Sequence, residues 1–380
     1  MNIDSGIDYL VNKAGFLSSL TAAYGNESDF EFKQKGVASE LISLNGTFVE
    51  NKRTLNRETL YDLASITKLF TLISCLMLVE SRQVKMTDIV SKLDPRFKHL
   101  SDVSIYDLLC YRTNIQSSSR IDRANSVDEA EKLVFSVFNS KKEPEKVYTD
   151  MNALVLKYVL EAVCKISFDE FLHNYIFKPL NMSKTNSKPL DFTDDIIDYR
   201  YEYHYNHGEF NFDSSVEFGK PHDPKARLLM KDGRPCSGHA GLFSCIDDMV
   251  KLAQGILNFK LISRESTYMI ANKTTGFLKP SGKYQQYMGM ICFIKSSVER
   301  LTEVPFCMSD NSFALGGYTG NHIAIDLDKR VFDIMLGNRC HNRLSKIFND
   351  KGKLISSLNE DFSGEIAMND GRKIKSSYKY

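Results

Sequence analysis

Between Ser65 and Glu80 the chain reads Ser-Ile-Thr-Lys-Leu-Phe-Thr-Leu-Ile-Ser-Cys-Leu-Met-Leu-Val-Glu. The spacing predicts a helix, and apolar side chains fall on nearly every face of it. A helix of that kind cannot lie on a surface; other elements must wrap it. The rest of the 380-residue chain has to supply the wrapping. Residues 3–12 form a short helix with Ile3, Ile7, Leu10 and Val11 on one side. Phe16 to Tyr24 and Phe30 to Val37, joined by the turn-rich Gly25–Asp29, read as a β-hairpin, and a further strand is expected near Leu41–Val49. Residues 85–185 are mostly helical by pattern, including a capped pair at 153–163 and 167–177. Residues 190–240 are polar and aromatic with few helix signals, and read as a long loop region. A helix follows at 247–257, then strands at 287–295, 322–326 and 331–336.

Strands, helices, strands is the order. The economical solution is an α+β fold, with one antiparallel sheet built from both chain ends and flanked by helices. Residues 1–84 and 255–380 would form that sheet domain. Residues 85–254 would be a mostly helical insertion, with the active site where the two meet.

Composition narrows the function classes. Hydrophobic residues at 42% and charged residues at 26% exclude a disordered chain. Lys+Arg is 49 against 48 Asp+Glu, so the basic excess of a phosphate-neutralising protein is missing and no nucleic-acid partner is expected. The cysteines include no C-x-x-C pair and several sit in apolar runs, which suits free thiols in a reducing compartment. The N-terminus carries acids where a signal peptide needs bases, and Leu69–Val79 is about half a membrane span. No span and a cytoplasmic location are therefore expected. Nothing sets the oligomeric state.

The sharpest chemical signal is Ser65-Ile-Thr-Lys68. On a helix, positions i and i+3 share a face, so the Ser65 hydroxyl and the Lys68 ammonium become neighbours. A serine hydroxyl needs a base, and a buried lysine can be one. The same S-x-x-K spacing recurs only at Ser376, in a polar tail that cannot bury it. Read blandly, Ser65 caps a helix and Lys68 reaches solvent. A tyrosine is the expected third group, and Tyr148-Thr-Asp150 stands at the mouth of the next strong helix. Glu202, His204, His207 and His222 are too loosely spaced to read as a metal site, and no phosphate-cradling glycine loop occurs. No cofactor is implied.

Tyr61-Asp-Leu-Ala-Ser-Ile-Thr-Lys68 resembles the nucleophile segment of the serine β-lactamase and penicillin-binding-protein superfamily, nearest its class C and esterase-like branch. Val147–Leu154, Phe171–Thr185, Pro221-His222-Asp223 and Gly238–Asp248 resemble further segments of that branch, in order, between about residues 55 and 340. The resemblance implies an acyl-enzyme at Ser65, with Lys68 and Tyr148 moving protons and the backbone N–H groups of Ser65 and Tyr318 forming the oxyanion hole. It places Asp150, Leu315, Gly316 and Gly317 at the substrate. Two departures stand out. Leu315 replaces the usual cation of the third motif, and Asp150 replaces a frequent asparagine. The first removes a partner for a substrate carboxylate, and the second should raise the lysine pKa. The expected activity is thus hydrolysis of an ester or amide small molecule. A D-alanyl carboxypeptidase or β-lactamase is the alternative, and a catalytically silent binding member is the rival from another class.

Overall fold

The computed structural model describes residues 3–142, 147–206, 209–276, 286–296 and 301–348, with three short strands in the remaining C-terminal stretch. It is an α+β structure organised on a seven-stranded sheet. Helix α1 (Ile3–Asp8) leads into β1 (Ser19–Asn26), β2 (Phe30–Leu44) and β3 (Thr47–Thr54). The later strands are β6 (Phe293–Ile294), β7 (Ser312–Gly317), β8 (Asn321–Asp326) and β9 (Val331–Asn338), numbered after the hairpin β4 (Glu202–Asn206) and β5 (Glu209–Asp213). The order across the sheet is β6-β7-β8-β9-β1-β2-β3, antiparallel at every step. Strands from the two chain ends meet where Ser19 to Asn26 pairs with Val331 to Asn338.

The apolar helix is α2 (Thr67–Glu80), entered through a 3-10 turn at Ala64–Ile66. It is buried along most of its length, Phe70, Leu72 and Ile73 being wholly inaccessible. Helix α3 (Asp150–Cys164) packs across it, and α5 (Ile246–Leu257) lies on β1 and β9. A short helix, α4 (Pro224–Leu229), precedes α5.

Three expectations need correction. The single strand near Leu41–Val49 is the tip of a second hairpin: Asn45 and Gly46 take positive φ (52° and 81°), turning β2 back as β3. An Asn-Gly pair is the strongest short hairpin signal and was available to reading. The region 190–240 is not all loop. It contains β4 and β5, and β4 pairs in parallel with β10 (Leu344–Phe348), a long-range contact that local pattern cannot reveal. Of 287–295, only Phe293–Ile294 is strand, because a turn at Met290 to Cys292 interrupts the run. The eight cysteines are free thiols, with Cys307 the exposed one.

Candidate active site

The chain enters α2 under strain. Ala64 has φ 46°, a left-handed conformation that costs a non-glycine residue free energy. It is held there because its N–H donates to the Asp62 Oδ1 at 2.9 Å. The other oxygen of buried Asp62 accepts the His222 N–H at 2.7 Å, while the Asp62 carbonyl accepts from Thr319 Oγ1 and Asn321 Nδ2. One buried acid thus ties the Ser65 turn both to the segment before α4 and to the turn between β7 and β8. Burial pushes the Asp62 carboxyl up, although both amides favour its anion.

Across the 3-10 turn and the first turn of α2 the S-x-x-K geometry forms: Lys68 Nζ donates to Ser65 Oγ at 2.7 Å. Lys68 is wholly buried, and its two other N–H groups go to the His239 carbonyl (3.1 Å) and to Asp150 Oδ1 (2.8 Å). Burial alone would lower the lysine pKa, but the Asp150 carboxylate and the Tyr148 oxygen outweigh it and hold Lys68 well above its ordinary value. Lys68 rests as an ammonium with all three protons committed.

Tyr148 and Asp150 flank Thr149, the extended N-cap residue of α3, whose hydroxyl accepts the Met151 N–H. The cap explains their placement: it turns the chain so that both neighbours face Lys68. The Tyr148 ring centroid lies 5.1 Å from Lys68 Nζ, and the ring stacks on Phe293 at 5.5 Å. Burial raises the phenol pKa, while Lys68 and Ser65 favour the phenolate. Asp150 is held well below the carboxylate range, since Lys68 and Lys225 overcome its desolvation. Lys225 Nζ stands 2.6 Å from Asp150 Oδ2.

A third group closes the floor. Asp223 Oδ1 caps α4 through the Ala226 N–H and also lies 3.0 Å from His239 Nε2, while His239 Nδ1 meets Ser237 Oγ at 3.1 Å. His239 therefore acts structurally here, presenting its carbonyl to Lys68. Gly238 (φ 79°) lets this strap pass α3; a Cβ there would lie 2.5 Å from the Lys157 Cβ.

Ser65, Tyr148, Asp150, Gly316, Gly317 and Tyr318 all line one cavity of about 990 Å³. Leu315 does not. It shares the β7 face of Gly317, which abuts the Ala64 turn, and it is 1% exposed within the main core. Of Arg112, Arg227 and Arg339, the arginines that the sequence offers for a substrate carboxylate, Arg339 lines the cavity; sequence reasoning missed Glu303, His322 and Lys346, which line it too. Arg339 donates through Nε to the Tyr318 carbonyl and stacks on the Tyr318 ring at 4.1 Å, with Lys346 5.1 Å from the same ring. Glu202 meets His222 and Cys340 on one side and His204 and Asp213 on the other, but it is already engaged by Tyr318 Oη, Ser345 Oγ and His222 Nε2. His207 lies outside the described residues. Donor atoms of Asp150, Asp223 and His239 also converge, with Asp150 paired to Lys68 and Lys225 and Asp223 hydrogen-bonded to His239.

The profile described as Beta-lactamase matches residues 36–350. The chain belongs to the beta-lactamase family. Its members and neighbours are serine hydrolases, so this is an enzyme of that class. A Putative D-alanyl-D-alanine carboxypeptidase of Salmonella typhi is 26% identical over 329 residues, covering 79% of this chain and 74% of the relative. Among solved structures, EstCE1, a hydrolase with promiscuous acyltransferase activity, superposes with a TM-score of 0.66 at 16% identity, covering 88% of this chain and 92% of that one. A class C beta lactamase from Rhodobacter sphaeroides gives 0.63 at 16% identity, covering 89% and 94%. These likenesses show the fold. No helix among the described residues is long and apolar enough to cross a membrane.

Proposed function

We propose that this family member hydrolyses an ester or amide small molecule through an acyl-enzyme at Ser65. The observation that carries the reading is the 2.7 Å contact between Ser65 Oγ and a wholly buried Lys68 Nζ. A capping serine beside a solvated lysine would show neither the burial nor the contact. Since Lys68 has no free lone pair at rest, the Ser65 proton passes to Tyr148 in its minor phenolate form, which the Lys68 ammonium stabilises, and the transfer leaves Tyr148 a neutral phenol. Tyr148 then returns that proton to the leaving group. Water repeats the cycle in deacylation. The backbone N–H groups of Ser65 and Tyr318 face the substrate carbonyl oxygen as it becomes an oxyanion. A silent scaffold would need none of this geometry.

Carboxypeptidase action is the second reading, favoured by Arg339 and Lys346, which bring positive charge to the cavity beside Tyr318. The test is labelling with a fluorophosphonate, read by peptide mass spectrometry. One adduct on the Ser65 peptide, lost in Ser65→Ala, is expected. An adduct elsewhere, or undiminished turnover in the variant, refutes the assignment. Turnover of p-nitrophenyl butyrate against a D-alanyl-D-alanine peptide separates the two readings.

A further inference from the structure

Gly316 is odd on a strand that lines a cleft, because most side chains would fit a strand and glycine weakens one. Its surroundings explain it. A Cβ built on Gly316 would lie 2.7 Å from Glu303 Oε2 and 3.1 Å from Oε1. The Glu303 carboxyl occupies the space that a side chain at 316 would fill, and that space belongs to the cavity wall.

The position of Glu303 is fixed from two sides. His322, paired opposite Gly316 across β7 and β8, donates through Nε2 to the Glu303 carbonyl at 2.9 Å. The Gly316 amide, on the other side, favours the anionic form of the Glu303 carboxyl. The residue is exposed through the cavity, while neighbouring protein atoms crowd its carboxyl enough to raise its pKa.

The other acids in the cavity are spoken for: Asp150 holds Lys68 and Lys225, and Asp223 holds His239. Among the described residues, no lysine or arginine forms an ion pair with Glu303; the His322 imidazole, which also lies 3.6 Å from Asp333 Oδ1, answers its charge in part. The cavity cations Arg339 and Lys346 stand against Tyr318 instead. Phe293 and Tyr148, stacked at 5.5 Å, line the same cavity and add aromatic surface. A carboxylate and aromatic rings lining one partly desolvated cleft suit an ammonium ion.

We propose that Glu303 is a specificity-determining residue that receives a positively charged group of the substrate. This rests on the hydrolase reading and narrows it to substrates bearing an ammonium. Glu303 touches no reacting atom in this account; it holds the substrate's charge.

Choline and its neutral isostere 3,3-dimethylbutan-1-ol probe the site without requiring turnover. Their dissociation constants are measured by calorimetry on the full chain, and again as competitive inhibition constants against p-nitrophenyl acetate. Choline should bind at least tenfold tighter than the isostere. Glu303→Gln should bring that ratio to within about threefold of unity, and Glu303→Asp should retain part of it. Glu303→Lys should reverse the preference toward an anionic analogue such as 3,3-dimethylbutyrate. Equal binding of choline and the isostere by the natural protein overturns the proposal, as does an unchanged ratio in a folded Glu303→Gln protein. Absence of a Ser65 acyl adduct with p-nitrophenyl acetate would instead remove the hydrolase reading, leaving the calorimetric ratio to judge Glu303 alone.

Discussion

Asp150→Asn is the most informative single change, because it restores the asparagine frequent in the resembling motif while dismantling a charge arrangement particular to this chain. The Asp150 carboxylate lies 2.8 Å from Lys68 Nζ and 2.6 Å from Lys225 Nζ. At an effective dielectric of about 20, a unit pair at the first distance is worth roughly 6 kcal/mol before desolvation is subtracted. Asparagine offers one acceptor and one donor to two ammonium groups that need two acceptors. One lysine is therefore left facing an N–H₂ group, and the two cations repel without an anion between them. Removing one partner of a buried pair typically costs about 3–5 kcal/mol, and that loss is expected in urea unfolding at pH 7. The same change withdraws the main influence raising the Lys68 pKa, so burial should dominate and the lysine should lose its proton more easily. Lys68 then becomes able to take the Ser65 proton directly. The pH at which acylation by p-nitrophenyl acetate reaches half its maximum should move down by at least one unit. Stability within about 1 kcal/mol of the natural protein would refute the ion-pair argument. An unshifted acylation profile would refute the claim that Asp150 keeps Lys68 protonated.

Lys68→Ala and Tyr148→Phe should each lower acylation on the order of 10²-fold or more, and the double variant should be little worse than either single, since one proton path serves both; additive losses in single-turnover kinetics would argue for separate steps. Burial would lower the His222 pKa, but Cys340 and Glu202 raise it to about 10. A raised folded pKa means stability fully present below the unfolded value of about 6.5 and lost as pH climbs toward 10, on the order of a few kcal/mol. Thermal unfolding between pH 6.5 and 10 should show the decline, and His222→Gln should flatten it. Leu315→Lys should destabilise the fold by on the order of 3 kcal/mol, because the ammonium would enter the apolar core. An unchanged melting temperature with a gain in nitrocefin hydrolysis would instead place that side chain at the substrate.

Much of this was legible because local rules and tertiary structure agree. The all-round apolar run of α2 could only be buried, and S-x-x-K on it could only juxtapose Ser65 with Lys68. Thr149 as N-cap made Tyr148 and Asp150 a pair on one side of a helix start. The β4–β10 pairing was invisible for the opposite reason: its partners are separated by some 140 residues, and no periodicity encodes which distant strand a polar hairpin will join. Lys225 was missed likewise, since only the folded chain brings α4 under Asp150.

Leu315 shows how a sound motif argument can choose the wrong atom. A leucine where a cation is usual implies, by motif alone, a cleft without a carboxylate partner. A strand alternates its faces, however, and Leu315 points with Gly317 toward the Ala64 turn and the core, while Gly316 opens to the cavity. The charge of the wall is therefore set by groups that strand sequence does not reveal. One is Glu303, which reaches from a preceding loop into the vacancy above Gly316; the others are Arg339 and Lys346, which follow β9 and flank Tyr318. An anion toward Gly316 and cations toward Tyr318 make the cleft dipolar, so net substrate charge is the wrong variable. What should decide turnover is which end of the cleft each charge on the substrate meets.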